Sequence, residues 1–208
     1  MRLSRESVLD GAFAILDRYG LGDLTMRRLA AELGVQAGGL YWHFANKQTL
    51  LAAMADRIAS GPAVTGVASD DPKRWQQQLT ALCTGFRDAL LAHRDGAELV
   101  AAGYALHPGS GEPLESMIKI LDRSGLATAP SRAAAAALTH FVLGHAAEVQ
   151  AHDQLRQAGA LPEEQDVPQD TDLDEAFIIG LEIFIDGLAA RLRHDTKRVV
   201  PDHGRAGG

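Results

Sequence analysis

TMRRLAAELGVQAGGLYWHFANK, residues 25–47, holds two short helical patterns joined at Leu33-Gly34-Val35. Thr25 is an N-cap residue for a first helix that runs through Leu29, Ala30 and Leu33 and stops at Gly34. A second helical segment covers residues 36–43. The tight glycine turn makes the two cross steeply, the geometry of a helix-turn-helix. Ala30, Leu33, Val35 and Leu40 then close the inner faces. Gln36, Ala37, Gly38, Gly39, Tyr41, Trp42 and His43 are left to project outward. An outward Tyr-Trp-His run is costly unless a partner covers it, and a DNA backbone and groove supply such cover. Arg27 and Arg28 reach phosphates or guanine edges, and Thr25 donates to a phosphate. Lys47 opens the next helix, where its ammonium and the free N–H groups both suit a phosphate. Taken alone, the aromatics also fit a plainer reading, in which Tyr41, Trp42 and Phe44 are core residues of a small bundle.

The flanking sequence is helical in both directions. Val8, Ala12, Ile15, Leu16 and Tyr19 form a stripe over residues 4–19, with Ser4 as N-cap and Gly20 as stop. Asn46 begins a longer helix that buries Leu50, Leu51, Met54 and Ile58 and ends near Ser60-Gly61-Pro62. Residues 61–72 read as a linker. Helices are predicted over 73–92, 96–106, 112–124, 131–157 and 173–194, with Pro130 in a first turn. Residues 159–172 read as a mobile loop. Strand pairs, a βαβ pattern, an internal repeat and a GxGxxG fingerprint are missing. The expected fold is all-α. A helix-turn-helix domain spans 1–60, including the connecting helix 46–60. A ligand-binding and dimerisation domain spans 61–194, and 195–208 is expected to be a disordered tail.

Composition narrows the function. The chain has 208 residues, 46% hydrophobic and 23% charged, enough to bury a core. No apolar run approaches the roughly 20 residues of a membrane span, and the N-terminus has no signal-peptide pattern. Cys83 is the only cysteine, which excludes an intrachain disulfide and a multi-cysteine zinc site. A cytoplasmic protein with no membrane partner is expected. The net charge is −7, yet residues 1–50 carry six basic and five acidic side chains, so the remaining 158 residues carry −8. This permits a DNA-binding head on an acidic body.

Residues 1–60 resemble the tetracycline-repressor (TetR) family of bacterial transcriptional regulators. The resemblance rests on the amphipathic first helix, Leu24-Thr25-Met26-Arg27-Arg28-Leu29-Ala30, Leu33-Gly34-Val35, and Leu40-Tyr41-Trp42-His43-Phe44 followed by Asn46-Lys47 and Leu50-Leu51. It continues to about residue 193 through Trp75, Phe86-Arg87, Ala89-Leu90-Leu91, His93-Arg94-Asp95-Gly96-Ala97, His140-Phe141, Leu143-Gly144, Glu148, and Phe177 with Gly180-Leu181-Glu182. It implies a homodimeric repressor whose heads bind a palindromic double-stranded operator and whose body binds a small-molecule effector.

The chain departs from the tetracycline pattern. Where that branch grips the drug and its magnesium with polar side chains, this chain has Ala63, Leu82, Val100, Gly103 and Met117; Phe86, His140 and Glu148 remain. Each drug polar group buried without a partner costs about 1–3 kcal/mol, so tetracycline–magnesium is not the expected effector. A more apolar ligand is, lined by Leu82, Phe86, Val100, Tyr104, Met117, His140, His145 and Glu148. No cofactor is expected. The outward helix departs too: Ala37, Gly38 and Gly39 remove side chains from the base edges, and each glycine weakens the helix by about 1 kcal/mol. Base readout then rests on Arg27, Gln36 and backbone approach.

His145, Glu148 and His152 share one helix face, a spacing that places two ligands on one ion. The plainer reading is solvated or pocket-lining polar groups, and no metal is expected. His93-Arg94-Asp95 reads as a helix end with a structural or signalling role. Ala133 to Leu138, Phe141 and Leu143, with Ile178, Leu181, Ile183, Phe184, Ile185 and Leu188, read as a core stripe plus an intersubunit four-helix face. Ser110, in a Gly-Ser-Gly turn, lacks a nucleophile-elbow motif, and no catalytic residue is expected. The competing function is a helical small-molecule carrier or enzyme without a DNA role; it leaves the outward Tyr-Trp-His run unexplained.

Overall fold

The computed structural model describes residues 3–65, 71–106, 111–160 and 170–199, and among them every regular element is helical. The α-helices are α1 (Arg5–Tyr19), α2 (Met26–Glu32), α3 (Ala37–Tyr41), α4 (Lys47–Ala59), α5 (Pro62–Thr65), α6 (Trp75–Leu91), α7 (Gly96–Leu106), α8 (Leu114–Arg123), α9 (Thr128–Gln157) and α10 (Asp170–Val199). Single 3₁₀ turns lie at Leu21–Asp23 and Pro72–Arg74.

The starts follow from caps. Ser4 accepts from the Ser7 N–H and Ser7 answers to the Ser4 N–H, a capping box. The Asn46 carboxamide accepts from the Thr49 N–H at 2.8 Å, and Thr49 Oγ1 accepts from the Asn46 N–H at 3.2 Å. Thr25 Oγ1 accepts from the Arg28 N–H at 3.1 Å. Between α2 and α3 the chain turns at Gly34 with φ 65°, a left-handed value that favours glycine. The head closes over Val8, Ala12, Leu16, Leu24, Leu29, Leu40, Phe44 and Leu50, all almost fully buried.

Helix α6 is the axis of the body and touches α4, α5, α7, α8, α9 and α10. Its buried face carries Leu79, Leu82, Cys83, Phe86 and Leu90. Burial pushes the Cys83 thiol up to about 12, so it acts as a small apolar side chain. Helix α4 lies along α7. The seam is tight because Gly103 has no side chain: a Cβ there would stand 2.9 Å from the Ala55 Cβ.

Four boundaries differ from the sequence reading. The expected linker 61–72 contains α5, started by Pro62, and a 3₁₀ turn capped by Asp71. Helix α9 begins at Thr128, which puts Pro130 inside its first turn. Helix α10 begins at Asp170 and runs to Val199, so the first five residues of the expected tail are helical. Helix α3 is shorter than 36–43. The loop expected over 159–172 falls mostly outside the described residues, as do 200–208. In a single chain, Leu138, Leu181, Ile185 and Leu188 are buried, whereas Ile178, Ile179 and Ile183 stand 43%, 48% and 67% exposed. One stripe of α10 therefore faces inward and the other outward.

Gly103→Ala is expected to force α4 and α7 apart and cost about 1–3 kcal/mol, read as a lower midpoint in chemical denaturation.

Candidate nucleic-acid interface and internal cavities

The aromatic run divides in the structure. Phe44 is 1% exposed, while Tyr41 is 50% and Trp42 90% exposed. The bundle-core reading thus holds for Phe44 alone. The backbone decides it: Leu40 and Phe44 lie one helical turn apart and face the core, which turns Tyr41 and Trp42 to the other side. Gln36 and Gly38 are exposed, and Ala37, Gly39 and His43 are half-buried. Arg5, which the sequence reading passed over, braces this region. Its guanidinium lies 4.4 Å from the Phe44 ring centre and donates to the His43 carbonyl at 3.4 Å.

The basic residues differ in freedom. Arg27 is exposed and has no partner among the described residues. Arg28 is ion-paired with Asp23 and lies over the Tyr19 ring at 4.5 Å. It ties α2 to the end of α1, so a DNA contact requires it to be shared with or released from Asp23. Lys47 is the first residue of α4, where the N–H groups of Lys47 and Gln48 have no intrahelical acceptor. Thr25 keeps its hydroxyl proton available while its oxygen caps α2.

A polar junction joins this head to the body. Asp95 Oδ2 accepts from the Leu21 N–H at 2.7 Å, and Oδ1 accepts from Gln154 Nε2 at 2.6 Å. Asp17, on α1, takes the Arg94 N–H at 3.3 Å and faces His93 Nδ1 at 3.1 Å. The His93 ring packs on Phe13, with centres 4.5 Å apart. Gln150, on α9, donates to the Leu90 and His93 carbonyls at 3.0 and 2.8 Å and accepts from the Ala97 N–H at 3.1 Å. The α6–α7 turn is therefore held from two sides. The sequence marked His93-Arg94-Asp95 as a structural or signalling end but missed Asp17, Gln150 and Gln154. The signal for the glutamines was faint: two of them four apart on α9, Gln150 half-buried and Gln154 exposed.

Two cavities flank Tyr104. One, of about 460 Å³, lies between α7, α8 and α9 and is lined by Ala101, Tyr104, Ala105, Leu114, Ala136, Thr139, His140 and Leu143. The other, of about 210 Å³, lies where α4 meets α7 and includes Val100 and Tyr104. Of the eight residues expected to line a ligand, Tyr104 and His140 border the first cavity and Val100 and Tyr104 the second. The remaining five line neither. Leu82, Phe86 and Met117 are packed in the core. Glu148 is exposed on α9. His145 lies against Phe177, ring centres 4.8 Å apart, and its Nε2 is buried without a partner among the described residues. Burial first, then the nearby Arg87 cation, hold its imidazole below the ordinary histidine range. His152 Nε2 sits 2.9 Å from Arg156. Among the described residues no three His, Cys, Asp or Glu side chains converge as a metal site. Ser110 and the side chain of Ala63 lie outside the described residues.

Family models match two parts of the chain. Residues 8–54 match "Bacterial regulatory proteins, tetR family", and residues 68–192 match "Tetracyclin repressor-like, C-terminal domain". The chain is 34% identical over 207 residues to tetracycline repressor protein class E of Escherichia coli, covering 96% of both chains. The solved BioQ of Mycobacterium smegmatis superposes with a TM-score of 0.74 at 39% identity, covering 91% of this chain and 99% of that one. A structure of BioQ with its double-stranded DNA operator superposes with a TM-score of 0.70 at 38% identity, covering 91% and 99%.

Trp42→Ala is expected to leave stability within about 0.5 kcal/mol of the parent. Phe44→Ala is expected to cost about 3–5 kcal/mol in the same denaturation experiment.

Proposed function

The chain belongs to the tetR family of bacterial regulatory proteins, and from that premise we propose how its own residues carry out operator binding and release. It is a ligand-responsive DNA-binding transcriptional regulator that acts as a dimer on operator DNA. The reading assigned here is repression relieved by a small effector. Residues 1–60 form the DNA-binding head, and 61–194 form the effector-binding and dimerisation body. The regulator has no catalytic role and works in the cytoplasm. No described helix is long and apolar enough to cross a membrane.

The carrying observation is the 90% exposure of Trp42 beside the exposed Tyr41, at the end of a short helix, with the exposed Arg27 on the helix before it and Lys47 opening the helix after it. In this reading Tyr41, Trp42, His43, Lys47 and the Thr25 hydroxyl meet the sugar-phosphate backbone, and Arg27 and Gln36 reach base edges. Arg28 positions α2 through Asp23 and turns to a phosphate where the operator competes for it. Ala37, Gly38 and Gly39 let the α3 backbone come close to the groove. A Cβ at Gly38 would meet nothing within 4 Å, so packing does not demand that glycine. The dimer presents two such helices about 34–36 Å apart, one turn of B-DNA.

The effector binds beside Tyr104, which borders both the apolar cavity between α7, α8 and α9 and the smaller cleft where α4 meets α7. Tetracycline–magnesium does not suit the site: Val100 and Gly103 stand where polar ligands are needed. Expansion of either cavity shifts α7, and α7 begins at the turn that Asp17, Asp95 and Gln150 hold. The head follows through α1 and through α4. Moving the dimer from 1:99 to 99:1 requires the effector to prefer the released state by about 5.5 kcal/mol. By linkage, operator binding weakens effector affinity equally.

Fluorescence anisotropy with DNA flanking the chain's own gene tests the reading. Specific, salt-sensitive binding without added ligand is expected, and its absence at low salt overturns the repressor reading. Arg27→Ala is expected to cost about 1–3 kcal/mol of operator affinity. Gly38→Ala is expected to raise stability by about 0.5–1 kcal/mol while weakening the operator complex. A Gly38→Ala variant that binds as tightly as the parent removes backbone approach from the model.

A further inference from the structure

The smaller cavity has a chemistry that the apolar one lacks. Its floor is Ala55 and Ala59 of α4 with Val100 and Gly103 of α7. Its rim carries two carboxylates, Asp56 from α4 and Glu112 from the turn before α8, together with the Tyr104 hydroxyl. Among the described residues no Lys, Arg or His lines it. Elsewhere in the head Asp10 pairs with Arg57 and Asp23 with Arg28. Asp56 and Glu112 have no such partner among the described residues.

Glu112 Oε2 carries the point. It exposes less than 1 Å² and accepts no hydrogen bond among the described residues. The Tyr104 hydroxyl, which stands beside it, does not answer it: that proton is donated to the Glu112 main-chain carbonyl at 2.6 Å. A buried carboxylate oxygen without a donor is costly, and a charged donor relieves it best. The negative field also falls on Tyr104. Burial, then Glu112, then Asp56 push its phenol above the ordinary tyrosine range. The cleft is thus an apolar floor under two unneutralised carboxylates and an oriented hydroxyl, which is the complement of a hydrophobic cation.

We propose that this cleft receives a protonated amine, and that the effector is an apolar molecule bearing one such ammonium group. The proposal rests on the effector-released regulator reading and sharpens it by fixing the ligand's charge. The ammonium pairs with the Glu112 and Asp56 carboxylates, the Glu112 side chain turning its buried oxygen toward the ligand, and the carbon frame lies on Ala55, Ala59 and Val100. Asp56 belongs to the helix that leads directly to the head, so the same ion pair that holds the ligand loads α4. An uncharged ligand of equal shape leaves Glu112 unanswered and gains only contact with the floor.

Phenethylammonium and its neutral counterpart phenethyl alcohol are the probes, titrated into full-length protein by calorimetry at pH 7. The ammonium is expected to bind about tenfold or more tightly than the alcohol. That preference is expected to fall several-fold in Glu112→Gln, which keeps the main-chain acceptor for Tyr104, and independently in Asp56→Asn. Equal affinity for the two probes overturns the proposal, as does a preference that survives both substitutions. Operator binding by the unliganded protein is measured alongside. Its loss counts against the regulator reading, whereas intact operator binding with no charge preference counts against the cleft alone.

Discussion

The backbone at Asp95 adopts φ 56°, a left-handed conformation that costs about 1–3 kcal/mol for a non-glycine residue and that aspartate tolerates better than most. It is held there because the carboxylate bridges two elements, the Leu21 N–H at the end of the head and the Gln154 amide on α9. Gly96 beside it has no alternative: a Cβ would stand 2.3 Å from the Leu90 carbonyl oxygen. The tight turn, the left-handed residue and the bridging carboxylate form one constraint. It fixes where α7 starts, and α7 in turn walls both cavities and packs against α4. A change in the body reaches the head by disturbing this turn or by moving α4. Both routes end on α1 and α4, which pack against each other within the head.

Helix α3 illustrates the cost of that arrangement. Five residues, two of them glycine, do not make a stable helix alone. Its stability is borrowed from Leu40 and Phe44, which are buried, and from Arg5, which clamps the following turn against α1. A local segment so dependent on its neighbours reports their movement. The glycines that lower its intrinsic stability also leave the backbone bare on the outer side.

How much of this was legible in the sequence depended on range. Local signals carried well. Ser4, Thr25 and Asn46 cap the helices that their side chains announce, and Gly34 occupies the one position between α2 and α3 that turns left-handed. The choice between Trp42 and Phe44 was open to composition and was settled by which residue shares a face with Leu40. Side-chain partners across long separations were not legible. Arg28 looks like a free cation in the sequence, but Tyr19 and Asp23 lie within its reach only because α1 ends where it does. Leu82, Phe86 and Met117 occupy plausible lining positions, yet α6 sits at the centre of the body, and its apolar face, with Met117 of α8, is consumed by the core. The cavities lie instead around Tyr104, whose surroundings come from α4, α8, α9 and the 111–113 turn together. Glu112, far from α4 in sequence, carried no local signal at all.

The distribution of charge ties these elements together. The body carries −8 and repels DNA, so the attractive surface is confined to the head, whose net charge is only +1. Within the head, Arg28 and Arg57 are engaged by acids of the same domain, and Arg5 is engaged by Phe44 and a carbonyl. In the proposed reading few cations are left for phosphates, chiefly Arg27 and Lys47. Non-specific affinity is correspondingly weak for a single head, since it scales with the number of phosphates neutralised. Two heads at the correct separation are then required for useful binding, because the second contact is made at a high effective concentration. A regulator built this way needs only to spoil the spacing of its heads to be released. In the proposed reading, small displacements of α4 and α1, of the kind that one ligand can impose on a close-packed seam such as Ala55–Gly103, then suffice.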